Sequence, residues 1–320
     1  IVAEDMSADF SCYGSKEVST PNIDILAEES FRFTHSFVTA PVCSPARSAL
    51  LTGRYQTSTG AHNHRSSRGE VKIFLPENTS TIPDLFRENG YFTANCGYDY
   101  NPKTDYNHVT RPELYDAGIR LKPDNSNWDE LWERNRKDKP VFLQLQLFGG
   151  KNRSYKPETP VDPSQVILPP YYPDTEVFRE DHARYLNTVL YTDLMIKNIV
   201  DYLKSSGRWE NSLVFFITDH GEDNYRHKQF LYDGGIHIPM MLKLPGTADY
   251  KVKAEADDLI LHIDMGATSL DAAGIRVPDY LEGQSLISDN YTPREYVVSA
   301  RDRCDWTPDR IRSVRTKEFK

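Results

Sequence analysis

Two kinds of pattern alternate along the chain. Short runs are continuously apolar, and longer stretches place apolar residues at every third or fourth position. The clearest of the second kind is "DTEVFREDHARYLNTVLYTDLMIKNIVDYLKSSG" (residues 174–207), which predicts a long amphipathic helix closed by Gly207. "STIPDLFRENGYFTANCG" (80–97) predicts a short helix capped by Ser80 or Thr81, a stop at Gly90 and then a strand. "TPNIDILAEESFRFTHSFV" (20–38) reads as another helix, with Thr20 as cap and Pro21 at its first position. Buried strands are expected at "IVAEDMS" (1–7), "KPVFLQLQLFGG" (139–150), "NSLVFFITDHGED" (211–223) and "GIHIPMMLKLPG" (235–246). "LILHIDMGATSLDAAG" (259–274) leads into a helix.

Strands that alternate with helices, and are apolar on both faces, imply a mostly parallel α/β sheet covered on both sides. Ligands of such sheets bind at the carboxyl ends of the strands. Two strands there end in acids, "VAED" and "ITDH", so Glu4, Asp5, Asp219 and His220 are expected at one sheet edge. Three carboxylates and an imidazole suit a hard divalent cation such as Ca²⁺, which takes about 6–8 mainly oxygen ligands. Two loops, 101–127 and 151–175, are long and rich in Pro and Asn, as functional surface loops are.

Composition narrows the function classes. The chain has 320 residues and a formal net charge of −9, which disfavours nucleic acid as a partner and requires a local basic pocket for any anionic ligand. No apolar run reaches the length of a membrane span. The four cysteines, Cys12, Cys43, Cys96 and Cys304, are far apart, which argues against a disulfide scaffold or a zinc cluster. The chain opens on the remnant of a strand and closes on "RSVRTKEFK" without a stop signal, so a portion of a longer protein is expected.

Cys43 stands out because "CSPAR" places it at the mouth of a helix. Ser44 is the expected cap, Pro45 the first helical residue, and Arg47 follows one turn in. A helix start and an arginine together favour an anion. The bland alternative is a buried thiol in a turn.

"CSPAR" followed by "SALLTGR" resembles the signature of the type I, formylglycine-dependent sulfatases. The opening segment to residue 38, "SLVFFITDHGED", "HKQFLYDGGIHIPMMLKLPG" and "SARDRCDWTPDRIRSVRTKEFK" also resemble that family, in its order. The last block is similar to bacterial polysaccharide and heparan-N-sulfatase-like members. The resemblance implies an alkaline-phosphatase-like fold, with a catalytic α/β domain over 1–289 and the start of a truncated C-terminal subdomain over 290–320.

It also implies chemistry. Cys43 becomes formylglycine through a formylglycine-generating enzyme. The hydrated aldehyde attacks sulfur, and the covalent sulfate is expelled as the aldehyde re-forms. Glu4, Asp5, Asp219, His220 and residue 43 hold Ca²⁺, Arg47 orients the nucleophile, and Lys228 contacts sulfate. Two positions depart from the family pattern. Tyr98 stands near an expected lysine, and Lys103 in "KTDYN" is taken as its substitute. Lys151 and Asn152 stand where a histidine general acid is often found, leaving Lys151, His62, His64 and His227 as candidates.

The expected substrate is a sulfated oligo- or polysaccharide, as an O-sulfate or N-sulfamate. Arg65, with His62 and His64, lies in a basic loop after the nucleophile helix, which suits a flanking acid or second sulfate and equally reads as a solvated basic loop. Tyr171, Tyr172 and Trp306 are aromatics able to stack on sugars or simply to pack. A periplasmic or secreted location follows from the resemblance. The rival functions are a phosphonate or phosphodiester hydrolase of the same superfamily and a non-catalytic sulfoglycan-binding protein.

Overall fold

A computed structural model describes residues 1–305 and 307–320. In chain order the elements are β1 (Val2–Ala3), α1 (Pro21–Glu28), β2 (Phe31–Phe37), α2 (Cys43–Thr52), α3 (Ile82–Glu88), β3 (Phe92–Tyr98), β4 (Ala117–Leu121), α4 (Asp129–Arg134), β5 (Val141–Leu147) and α5 (Glu176–Ser205). β6 (Val214–Thr218), α6 (Asp233–Ile236), β7 (His237–Lys243), β8 (Ile260–Leu261), α7 (Asp264–Ala272), β9 (Val297–Cys304) and β10 (Thr307–Arg315) follow.

Eight strands form one sheet in the order β4-β3-β5-β1-β6-β7-β2-β8. Only β7 runs antiparallel to its neighbours, β6 and β2. The expected mostly parallel α/β sheet is therefore present. Successive strand residues point to opposite faces, and the core divides accordingly. Ala3, Phe216 and Met241 join one apolar cluster with Leu186, Val189, Ile196 and Ile199 of α5. Val2, Phe215, Ile217, Met240 and Leu242 join the other, with Ala49 of α2.

Local signals were read well where they are self-contained. α3 has a complete capping box, in which the Thr81 hydroxyl accepts from Asp84 N–H and the Asp84 carboxylate accepts from Thr81 N–H. α5 ends just before Gly207, whose φ of 69° is the left-handed conformation glycine adopts without steric cost.

Four expectations need correction. The helix read over 20–38 ends at Glu28, and Phe31–Phe37 is strand β2, its aromatics packing with period two. Thr20 does not cap α1, because its hydroxyl accepts from Ser11 N–H instead. α2 starts two residues before the expected Pro45, at Cys43 itself, with Val42 as cap. The loop over 101–127 contains the edge strand β4, whose residues alternate buried and exposed.

β9 and β10 form a separate antiparallel hairpin. It packs on the main body: Val297 is buried in the second cluster, Ala300 N–H donates to Thr39 C=O at 2.8 Å, and Ser299 Oγ donates to Val38 C=O at 2.6 Å.

Candidate active site

β1 and β6 lie side by side and in register, Ala3 opposite Thr218. The acids that follow each strand are therefore brought together. Asp5 takes a left-handed φ of 51°, and its N–H donates to Asp219 Oδ1 at 3.0 Å. The chain after β5 closes over this point through two glycines. A Cβ on Gly149 would stand 2.3 Å from Glu4 O, and one on Gly150 would stand 2.0 Å from Asp5 O. α2 points its first residue, Cys43, into the same space.

Three carboxylates and four cations meet there. Arg47, buried to 1% exposure, donates to Gln146 Oε1 and Glu4 Oε1 at 2.9 Å and to Asp219 Oδ2 at 3.2 Å. Lys103 Nζ lies 2.5 Å from Glu4 Oε2, and Lys151 Nζ binds the same oxygen. Lys228 Nζ lies 2.7 Å from Asp5 Oδ2. Arg47, Lys103, Lys151 and Lys228 thus face Glu4, Asp5 and Asp219, with Asp223 also 3.3 Å from Lys228, a gathering of cations in a chain of charge −9.

This crowding sets the protonation states. Burial pushes Asp219 up, but His220, Arg47 and the two lysines more than offset it and hold it well below the usual carboxylate range. Burial would lower Lys151, yet Cys43, Asp5 and Glu4 carry it well above its usual value. Lys103 is held below its usual value by burial and then by Arg47, because Glu4 is already shared among several cations.

Asp5, Cys43, Asp219 and His220 bring one ligand atom each to within 4.8 Å of one another, all four buried. His220 Nδ1 lies 2.8 Å from its neighbour Gly221 O, so that nitrogen donates and Nε2 is left facing Cys43 Sγ at 3.1 Å and Asp5 Oδ1 at 3.3 Å. That fixes the tautomer a metal-binding imidazole needs. The donor set fits a divalent cation. Among the protein's own groups, burial lowers His220, and Asp219 then Cys43 raise it, to about 9.

Other expected residues are placed differently. Glu4 stands outside the ligand group, since Arg47, Tyr100, Lys103 and Lys151 occupy its two oxygens. The hydrogen bonds of Arg47 go to Gln146, Glu4 and Asp219, so it fixes the acids beside Cys43. His227 turns toward Ser7, Glu222 and Tyr171, with Nε2 2.9 Å from Tyr171 Oη. His64 and Arg65 face the C-terminal hairpin, 3.1 and 3.4 Å from Asp305 Oδ1. His62 is half-buried with Nδ1 unpaired among the described residues. Tyr98 is buried away from the site, its hydroxyl donating to Asn125 Oδ1 at 2.6 Å. Tyr172 is buried, Tyr171 is exposed, and Trp306 lies outside the described residues.

Sequence reasoning missed Tyr100, Gln146 and Asn95. Tyr100 Oη donates to Glu4 Oε1 at 3.2 Å. Gln146 links Arg47 to Asn95, accepting from Arg47 Nη1 and donating to Asn95 Oδ1 at 2.5 Å. Asn95 in turn donates to Lys103 O at 2.8 Å. The signal for Gln146 was visible, as one of two glutamines, with Gln144, in a strand whose other residues are apolar. Nothing local marks Tyr100.

The sulfatase family model matches residues 1–275. The chain is 28% identical to an ulvan-active sulfatase of Formosa agariphila, an alignment covering all of this chain and 59% of that protein. More generally it spans about three-fifths of the length of the first relatives it matches. Among solved structures, a putative sulfatase from Bacteroides thetaiotaomicron superposes with a TM-score of 0.73 at 20% identity, covering 99% of this chain and 80% of that one. A phosphonate monoester hydrolase from Silicibacter pomeroyi superposes at 0.70 and 19% identity, covering 96% and 80%. These last two likenesses establish the alkaline-phosphatase-like fold. With the family model matched over most of its length, the chain belongs to the sulfatase family.

Proposed function

We propose that the chain is the catalytic portion of a carbohydrate sulfatase that cleaves sulfate esters, with N-sulfamates as a variant substrate, through a formylglycine made from Cys43 beside a bound calcium ion. The observation that supports it is the convergence on Cys43 of a buried cation-ligand group and four positive side chains. Asp5, Asp219, His220 and residue 43 would hold the ion, with Glu4 beside them. Formylglycine supplies a nucleophile that can later release sulfate, which a thiol cannot. Calcium supplies charge to the sulfate oxygens and acidity at the nucleophile.

The chain's own residues do the rest. Lys103, Lys151 and Lys228 surround the nucleophile with ammonium groups that can bind three sulfate oxygens. Arg47 and Gln146 hold Glu4 and Asp219 in place from behind. Lys151, 3.7 Å from Cys43 Sγ, is the group best placed to protonate the leaving oxygen. The ulvan-active relative supports a polysaccharide-derived substrate. We take 1–289 as the catalytic domain and 290–320 as the start of a C-terminal subdomain, in a periplasmic or secreted protein. No helix among the described residues is long and apolar enough to cross a membrane.

The test is to co-express the protein with a formylglycine-generating enzyme and weigh the peptide containing Cys43. The thiol-to-aldehyde mass loss is expected, together with sulfate release from sulfated oligosaccharides that exceeds hydrolysis of phosphodiesters and phosphonates. Faster phosphodiester cleavage would favour the hydrolase rival. A persistent thiol with no sulfate release would leave a binding protein.

A further inference from the structure

Beyond the nucleophile, the loop that carries Lys228 presents a second cation. Arg226 lies two residues earlier, so its Cα is within about 7 Å of that of Lys228. It is exposed and holds a left-handed φ of 65°, which a residue with a Cβ rarely adopts. Such conformations persist where the surroundings over-determine them, and they cluster at ligand clamps.

The surroundings here are two tyrosines. The Arg226 guanidinium lies 4.8 Å from the ring centre of Tyr171 and 4.4 Å from that of Tyr232. Tyr171 is itself fixed by the 2.9 Å contact of its hydroxyl with His227 Nε2, and Tyr232 packs on Phe230 with ring centres 6.3 Å apart. Nearby acids are engaged elsewhere: Asp223 with Lys228, Glu222 with His227, and Asp233 with Arg315 and Lys320. Among the described residues Arg226 has no carboxylate partner and donates no side-chain hydrogen bond. An arginine held on aromatic faces, with its five N–H donors unspent, is preorganised for bidentate binding of an oxyanion. The exposed rings beside it, Tyr171 and Tyr232, suit the apolar faces of a sugar.

We propose that Arg226, held between Tyr171 and Tyr232, reads a second anionic group, carboxylate or sulfate, on the sugar next to the one whose sulfate is cleaved. This rests on the sulfatase reading. It differs from the expectation drawn for the Arg65 loop, since Arg65 is turned to Asp305. The ligand is a polyanionic oligosaccharide, and its charge complements a cation that lies two residues from Lys228 and has no carboxylate partner among the described residues.

The experiment compares sulfated disaccharides matched in every respect except the neighbouring sugar, which carries a carboxylate, a second sulfate or no charge. The readout is the ratio of kcat/KM for each dianionic substrate to that of its singly charged match. Arg226→Ala is expected to lower that ratio ten-fold or more, and Arg226→Lys to lower it less. The carboxylate and sulfate arms show which group is read. An unchanged ratio, or equal losses on all substrates, overturns the proposal.

The same disaccharides are titrated into the Cys43→Ala protein, with and without Arg226→Ala, and the ratio of Kd values is read by calorimetry. If the wild-type protein releases no sulfate from anything, the sulfatase reading fails. The binding ratio then decides the role of Arg226 separately.

Discussion

Lys151 packs its amine against Glu4, 3.7 Å from Asp5 Oδ1 and 3.7 Å from the Cys43 sulfur. Three negative or polarisable neighbours keep it protonated, which suits it to attract sulfate, and it gives up that proton only to a leaving group as basic as a sugar alkoxide. The two roles separate by leaving group. A sugar alcohol needs a proton as it departs, whereas para-nitrophenolate does not. Loss of a general acid costs about 10²–10⁴-fold. Lys151→Ala is therefore expected to lower kcat by about that factor on a sugar sulfate and far less on para-nitrophenyl sulfate. Steady-state rates on the two substrates decide it, and an equal fall on both would make Lys151 a sulfate-binding group only. Asn152 follows Lys151 where a histidine was expected, so the amine is the donor this strand end offers.

The elements that shape the site are held by close backbone approaches. Gly150 is the clearest case. Its added Cβ would meet Asp5 O at 2.0 Å and Asp5 C at 2.9 Å, and neither backbone atom can swing away. Gly150→Ala must displace the chain after β5, Asp5, or both. A loss of at least about 2 kcal/mol in stability is expected, together with loss of sulfate release. Gly207→Ala at the end of α5 is the control. It meets nothing within 4 Å and carries only the strain of its φ of 69°, of order 1 kcal/mol, with activity retained. Urea denaturation and sulfate release on both variants check the pair.

The same contrast explains what was legible in the sequence. The Thr81 cap, the Gly207 stop and the acids ending β1 and β6 are short-range signals, and each was found in place. The boundary between α1 and β2 was missed because no glycine or proline marks it, and the polar run Glu28-Glu29-Ser30 reads equally well as the solvent face of a continuing helix. The direction of β7 is set by β6 and β2, not by its own residues. Tyr100 reaches Glu4 only because the loop after β3 folds back, and no spacing encodes that. The pairing of Glu4 with Arg47, Tyr100, Lys103 and Lys151 was not legible either, because the sequence shows which charges exist and not how they pair.

Across the whole molecule, acid stability turns on histidines that are buried without charge. Burial pushes His64, His108, His227 and His262 each down to about 4. His108 is the simplest, since burial is its one cause and both ring nitrogens lack a partner among the described residues. A folded-state value below the unfolded value near 6.5 means that the unfolded chain takes up the proton first. The stability is present above about 6.5 and is lost as pH falls toward 4. Glu222 pulls the other way, because burial raises it to about 8 and the folded state holds its proton longer. That contribution is common to any variant that leaves Glu222 in place, so a difference measurement removes it. His108 stacks on Tyr106 with ring centres 6.1 Å apart, and phenylalanine can keep that contact without a titrating group. His108→Phe is expected to match or exceed the wild type at neutral pH and to lose less stability between pH 6.5 and 4. The gap should grow by up to about 3 kcal/mol, since each unit of pKa difference is worth about 1.4 kcal/mol. Denaturant unfolding of both proteins across that range reads it directly, and parallel curves would mean that His108 takes up its proton in the folded state.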